Sequence, residues 1–335
     1  MVTTEKLYER VEAAYGIRLK THEVIKHLPD SSFVAKLAAL SGDLYALKCL
    51  FEPEERQRFI VESERLLAER GVPLARPVAT KDGERFFEWE GNQYVLYEWL
   101  PGDGAPLERP EDLLKIVELA ARFHRASQGL AYPAGARTYG HLDWREEYES
   151  RLQSMERWRA DHATASGKKR RIADAIPFFL KAGALALREL RESGYESYAA
   201  APPTLVHGDL HNRNVMLHRG ELRLIDFEDV RYDAPSKDLI RIYSMYAKRR
   251  VFEEQTFRDM LNRYNDAHPL PKDVRRLVEI DLLFPHVFER TLRKKKYKKM
   301  SEEEVDFWLE QERRRTAFVK KRYFGRKSPG KEGRA

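Results

Sequence analysis

Apolar positions along the first hundred residues change from a helical rhythm to an alternating one and back. Leu7, Val11, Ala14 and Tyr15 recur at helical spacing until Gly16, which predicts a short leading helix. Three strand-like runs follow, Glu23 to Lys26, Phe33 to Leu40 and Leu44 to Leu50, the last two joined by Ser41-Gly42-Asp43 as a hairpin turn. After Pro53, the residues Phe59, Ile60, Leu66 and Leu67 mark a helix that ends at Gly71. A second hairpin, Arg85 to Glu90 and Gln93 to Trp99, turns at Gly91-Asn92. These elements predict a small antiparallel sheet with one helix beside it.

Beyond Pro101 the rhythm is helical. Leu113, Ile116, Val117, Ala120 and Phe123 give a strongly amphipathic helix from Pro110 to near Ser127. Residues 143–165 and 171–193 read as two more helices, another runs from about Lys237 to Arg250, and further helices continue to Tyr323. The fold class expected is therefore α+β, with an N-terminal lobe over 1–100, a larger, mainly helical lobe over 101–325, and a basic disordered tail over 326–335. No internal repeat is visible.

Composition narrows this picture. A chain of 335 residues with 42% hydrophobic positions can bury a core unaided. No run of about 18 apolar residues occurs, and the N-terminus lacks a basic segment followed by an apolar one, so the expectation is a soluble, cytoplasmic protein without a membrane partner. The single cysteine, Cys49, excludes an internal disulfide framework and a cysteine-based zinc cage, and its apolar strand makes it a buried spectator. Charge is uneven. Residues 290–335 hold 17 Lys and Arg against 7 Asp and Glu, a net +10, which leaves −3 on the rest of a chain whose total is +7. That segment reads as a solvated helix face with a disordered end, an acidic surface being the alternative; nucleic acid is not expected.

The chemistry concentrates in one stretch. Leu205-Val206-His207-Gly208-Asp209-Leu210-His211-Asn212-Arg213-Asn214-Val215-Met216-Leu217 sets a polar loop between apolar runs, and Leu222-Arg223-Leu224-Ile225 ends abruptly in Asp226. Asp209, Asn214 and Asp226 form an oxygen-rich set suited to a hard divalent ion carrying nucleotide phosphates. Lys48 lies in the middle of an apolar strand and needs a partner; a phosphate plus a helix carboxylate would serve, and an edge-strand lysine reaching to water is the plain alternative. Glu62 and Glu64 flank the apolar face of the following helix about equally, with Glu62 preferred as that carboxylate. Ser31 and Ser32 lie on a turn whose hydroxyls and amides could face phosphate. Tyr94 to Leu100 breaks at Pro101-Gly102-Asp103-Gly104, as a strand crossing between lobes and offering its backbone to a flat apolar ligand such as adenine would.

With these residues in view, His207-Gly208-Asp209-Leu210-His211-x-x-Asn214, Ile225-Asp226-Phe227-Glu228 and Asp238-Leu239 resemble the catalytic core of the aminoglycoside phosphotransferase and choline kinase-like superfamily. Ala46-Leu47-Lys48, Val95 to Gly102 and Leu119-Ala120-x-x-Phe123-His124 match in the same order, and the segment from Ile225 to Leu239, with the basic C-terminal helices, is most similar to the spore-coat kinase-like branch. The resemblance implies a bilobal protein-kinase-like fold with ATP and Mg2+ as cofactors. Asp209 would be the catalytic base, Asn214 and Asp226 the metal ligands, and Lys48 the α/β-phosphate ligand with Glu62 or Glu64 behind it. Backbone groups of Glu98 and Leu100 would meet adenine, Ser31 and Ser32 would replace the missing glycine-rich loop, and His207 and Asp238 would support the site. The function expected is transfer of the ATP γ-phosphate to a hydroxyl of a small molecule; a protein Ser/Thr kinase and a non-catalytic spore-coat-type structural protein are the alternatives.

Overall fold

Five antiparallel strands carry the N-terminal part of the chain. In the computed structural model, which describes residues 4–28, 32–49, 51–136, 138–140 and 143–325, the first elements are α1 (Thr4–Tyr15), β1 (Leu19–Leu28), β2 (Ser32–Ala39), β3 (Leu44–Cys49), α2 (Glu54–Glu69), β4 (Phe87–Trp89), β5 (Asn92–Glu98) and α3 (Pro110–Ala126). The sheet order is β1-β2-β3-β5-β4. β1 extends well beyond the four residues its apolar pattern marked, because an exposed edge strand needs backbone partners on one side and no buried face. Lys48 lies on β3, the central strand, opposite Val34 on one side and Val95 on the other. The edge-strand explanation of this lysine is thereby removed.

One face of the sheet is closed by α1. Leu7, Tyr8, Val11 and Tyr15 pack with Phe33, Ala35, Leu37, Leu47 and Leu96, and the buried thiol of Cys49 belongs to the same core. Val61 on α2 packs with Val95 and Tyr97. The catalytic-looking stretch forms β6 (Leu205–Val206), β7 (Val215–His218), β8 (Glu221–Leu224) and β9 (Arg231–Tyr232). β7 and β8 join through Arg219-Gly220, both at positive φ, the left-handed pair that a two-residue hairpin turn requires.

Contacts divide the chain into one unit of residues 1–140 with 203–232 and another of 141–202 with 233–335. This line differs from a boundary near residue 100, since backbone pairing ties the late segment to the early one: Leu74 bridges Leu224, Gly104 bridges Met216, and Ala105 N–H donates to Val215 O at 2.6 Å. The glycines of the crossover have a steric reason. A Cβ on Gly104 would stand 2.9 Å from Asn212 O, and one on Gly102 would stand 2.8 Å from Leu217 O.

The second unit is helical among its described residues apart from short turns: α4 (Trp144–Asp161), α5 (Gly167–Arg191), α6 (Tyr195–Ala200), α7 (Ser236–Tyr246), α8 (Glu254–Ala267), α9 (Lys272–Leu283), α10 (His286–Arg293) and α11 (Glu302–Phe324). Met155, Ile172, Ile176, Phe179, Phe288, Val305 and Leu309 form one core. The basic C-terminal segment is part of this architecture up to Gly325. Ser301 and Glu304 cap α11 reciprocally, and Arg315 is buried with its guanidinium donating to Leu282 O. Trp144 and Tyr148, with patterns that packing and substrate contact explained equally, are fully buried in this unit. The predicted tail, 326–335, lies outside the described residues. No helix among the described residues is long and apolar enough to cross a membrane.

Candidate active site

Two carboxylates and one lysine meet within the first unit, and the loop of Asp209 and Asn214 is hydrogen-bonded to Ile225, next to Asp226. Lys48 Nζ lies 2.6 Å from Asp226 Oδ1 and 2.9 Å from Glu228 Oε1, a contact between residues 178 apart in sequence for the first pair. Burial disfavours the ammonium, but the two carboxylates outweigh it and raise the Lys48 pKa. For Asp226 burial likewise opposes charge, and Lys48 more than compensates, so its carboxyl sits below the ordinary value. Glu228 goes the other way: burial, together with the charge of Asp226, raises it despite Lys48. One cation is shared between two acids.

Asp226 adopts a left-handed backbone, φ 69°, at the end of the apolar strand and before the single turn Phe227–Asp229. Such a conformation is uncommon outside glycine and asparagine or aspartate, and it persists where surrounding contacts fix it. Here it turns the chain sharply and leaves the carboxylate at the strand's end. Phe227 is buried and its ring stands edge-on to Phe123 of α3, which anchors the turn.

The loop bearing Asp209 is held by its neighbours. His207 is fully buried and its Nε2–H donates to Ile225 O at 2.9 Å, joining the loop to the strand that delivers Asp226. Gly208 has φ +83°, and a Cβ there would stand 2.4 Å from Asp229 O, so only glycine fits. Asn214 is buried; its Nδ2–H donates to Asp209 O at 3.1 Å, and its own N–H donates to His211 O. That amide orientation leaves Oδ1 as the ligand-capable atom. Asp209 is half-exposed. His211 Nδ1 accepts from Arg213 N–H, so its proton sits on Nε2, which lies 3.4 Å from Asp209 Oδ2.

The two glutamates of α2 that flank its apolar face have different partners. Glu62, preferred from the sequence, is held by Arg65 Nε at 2.7 Å and Arg85 Nε at 2.9 Å. Glu64, two residues further, is buried, accepts from the Tyr97 hydroxyl at 2.9 Å, and feels Lys48, Asp226 and Glu228 electrostatically. Burial pushes its carboxyl up to about 8. Helical angles do not separate the two glutamates, but their partners do: Glu62 is paired with two arginines, while Glu64 is held by a hydroxyl and feels Lys48.

The remaining residues fall as follows. Glu98 ends β5, its N–H donates to Arg76 O, and its side chain meets Arg223 at 3.2 Å, so its carbonyl is what it has to offer a ligand. Leu100 is buried just beyond. Ser32 begins β2 opposite Leu28 with little exposure, and Ser31 lies outside the described residues. Asp238 is fully buried on α7 in the second unit, where its charge raises the Tyr264 phenol together with burial. Sequence reasoning assigned no role to His211 or Glu228, although both stood within the motifs. Their signal is proximity to an aspartate, visible only as a possibility before distances are known.

The donor set consists of hard oxygens, Asn214 Oδ1 and the carboxylates of Asp226 and Glu228, which fits a magnesium-like ion whose other ligands come from phosphate and water. Among the described residues no group of three or more His, Cys, Asp or Glu could hold a metal unaided.

Comparison with known proteins bears on the family and the fold. The chain is 29% identical over 254 residues to Spore coat protein S of Bacillus subtilis (strain 168), covering 70% of this chain and 69% of that protein. Its fold matches that of an aminoglycoside phosphotransferase from Alicyclobacillus acidocaldarius, with a TM-score of 0.74 over 93% of each chain at 18% identity. It also matches amicoumacin kinase in complex with AMP-PNP, Ca2+ and Ami, with a TM-score of 0.61 at 17% identity over 95% of this chain and 93% of that one. The model of the phosphotransferase enzyme family matches residues 29–274, which include every strand from β2 onward and both aspartates of the site. The chain belongs to the phosphotransferase enzyme family.

Proposed function

We propose that the protein is an ATP- and Mg2+-dependent phosphotransferase that moves the γ-phosphoryl group of ATP to a hydroxyl of a small molecule. The observation that carries this reading is the convergence of Lys48, Asp226 and Glu228 beside a loop that presents Asp209 and Asn214. Asp209 takes the proton of the acceptor hydroxyl, and His211 Nε2–H orients its carboxylate. Asn214 Oδ1 and Asp226 hold the ion, which when bound neutralises charge on the phosphates. Lys48 leaves its ion pair with Asp226 and Glu228 for the α- and β-phosphate oxygens, and Glu64 stands behind it. The carbonyl of Glu98 and the amide of Leu100 receive the adenine edge. His207 braces the loop through Ile225 O, Asp238 is assigned a supporting part, and Ser31 and Ser32 are assigned to the phosphates in place of a glycine-rich loop.

Asp209→Ala is expected to lower turnover by about 10²- to 10⁴-fold while MgATP binding survives. Turnover equal to wild type in that variant would overturn the assignment. Labelled ATP offered with a metabolite panel and, separately, with protein extracts identifies the acceptor class; the small-molecule reading requires label in the metabolite fraction.

A second reading, a non-catalytic coat component, draws on the relationship to Spore coat protein S. Thermal stabilisation by MgATP follows RT ln(1+[L]/Kd) for a binder. Stabilisation together with ATP turnover excludes a purely structural role, and neither effect would favour it.

A further inference from the structure

Arg56 stands on the first turn of α2, and its fork reaches the segment that follows Asp226. Nη1–H donates to Val230 O and Nη2–H donates to Glu228 O, both at 2.6 Å. The guanidinium lies over the Tyr139 ring, 4.7 Å from its centroid, and near the Phe59 ring at 5.5 Å, so its plane is fixed as well as its tip. Burial lowers the Arg56 pKa, while the guanidinium remains charged at any physiological pH. On the other flank the same segment is pressed against Gly208, whose missing side chain lets Asp229 O approach. The turn from Asp226 to Val230 is therefore clamped between α2 and the loop of Asp209.

The geometry points to Arg56 as a positioning residue for the Asp226 carboxylate: by holding the carbonyls of Glu228 and Val230 it keeps the left-handed backbone at Asp226, and it ties that backbone to the helix that carries Glu64. The inference rests on the phosphotransferase reading for its catalytic meaning. The physical reason for arginine is its two parallel donors, which match two carbonyls on one turn; a lysine reaches only one of them at a time. A left-handed residue with this support removed relaxes to the ordinary basins, and the carboxylate moves with it.

The test compares wild type, Arg56→Lys and Arg56→Ala in three measurements: ADP binding without metal, the Mg2+ dependence of ADP binding, and amide exchange along the chain. Arg56→Lys should leave metal-free ADP affinity within about 2-fold, raise the half-saturating Mg2+ concentration 10- to 100-fold, as loss of a ligand's supporting contact typically does, and speed exchange over residues 226–231 while β2 and β3 stay protected. Free guanidinium should restore part of the Mg2+ response of Arg56→Ala. Wild-type Mg2+ dependence and exchange in both variants would overturn the inference, as would a uniform rise in exchange across the first unit, which marks a residue of general stability only. If the wild-type protein binds no nucleotide with or without Mg2+, the phosphotransferase reading fails by itself, and the exchange comparison still decides whether Arg56 holds the turn.

Discussion

Two clusters in this molecule each set a lysine against carboxylates, and they are built on opposite terms. In the second unit Asp281 is fully buried and receives Tyr148 Oη and Ser236 Oγ at 2.5 Å each, His286 Nε2 at 2.6 Å and Lys237 Nζ at 3.0 Å. Burial opposes its charge, but Lys237 and His286, with the Ser236 hydroxyl, hold its pKa well below the ordinary value. Lys237 in turn lies 3.9 Å from the centroid of the Trp144 ring. In the first unit the ratio is reversed: Lys48 serves two carboxylates, both partly open to solvent, and a third, Glu64, lies close enough to feel them. A carboxylate with four donors is complete and contributes to stability. Two carboxylates sharing one lysine are short of positive charge, which suits a cation-binding role.

This contrast can be broken by exchanging the acids. Asp226→Asn should remove Mg2+-dependent turnover on the order of 10³-fold or more, because several kcal/mol of charge stabilisation are lost with a metal ligand. Its melting temperature should fall only slightly, since Glu228 remains as a partner for Lys48. Asp281→Ala should do the reverse and destabilise the fold by about 3 to 5 kcal/mol in denaturant titration, leaving Lys237 buried without its partner. Equal stability loss in the two variants would erase the distinction.

Glu64 offers a sharper and smaller test. Its folded pKa, about 8, lies above its ordinary 4.5, so the neutral acid is the form the fold favours. Its contribution to stability is fully present below pH 4.5 and is lost as pH rises through about 8. Glu64→Gln, which keeps an acceptor for Tyr97, should therefore gain on wild type as pH is raised through that window in thermal melts. A constant difference between the two proteins would show that the carboxyl does not titrate there. The smallest effect is expected at Arg85→Ala, which removes one of two arginines from Glu62 on a partly exposed edge. A loss under about 1 kcal/mol and unchanged MgATP binding are expected; a large loss of binding would return Glu62 to the site.

How much of this was legible beforehand differs from residue to residue. Lys48, Asp209, Asn214 and Asp226 stood out because each breaks a local rule: a charge inside an apolar strand, acids at the abrupt ends of apolar runs. The sheet was legible through period-two alternation in β2, β3 and β5, while β1 was not, since an exposed edge strand has no face to hide. Glu62 and Glu64 lie at comparable angles on one amphipathic helix, and helical periodicity carries no information on which arginine comes near. The basic segment after Arg290 looked like an appendage by charge count, yet Val305, Leu309, Phe318 and Val319 are buried there.

The sequence by itself determined the order of elements, the class of the fold and the chemical kinds gathered at the candidate site, because periodicity and the cost of stranded charge are local properties of the chain. Only the tertiary structure decided which acids share Lys48, that Arg56 and Gly208 clamp the turn after Asp226, and that Asp281 is saturated while Asp226 is not. Those are distances between residues far apart in sequence, and interactions between charges are set by distance and burial rather than by position along the chain.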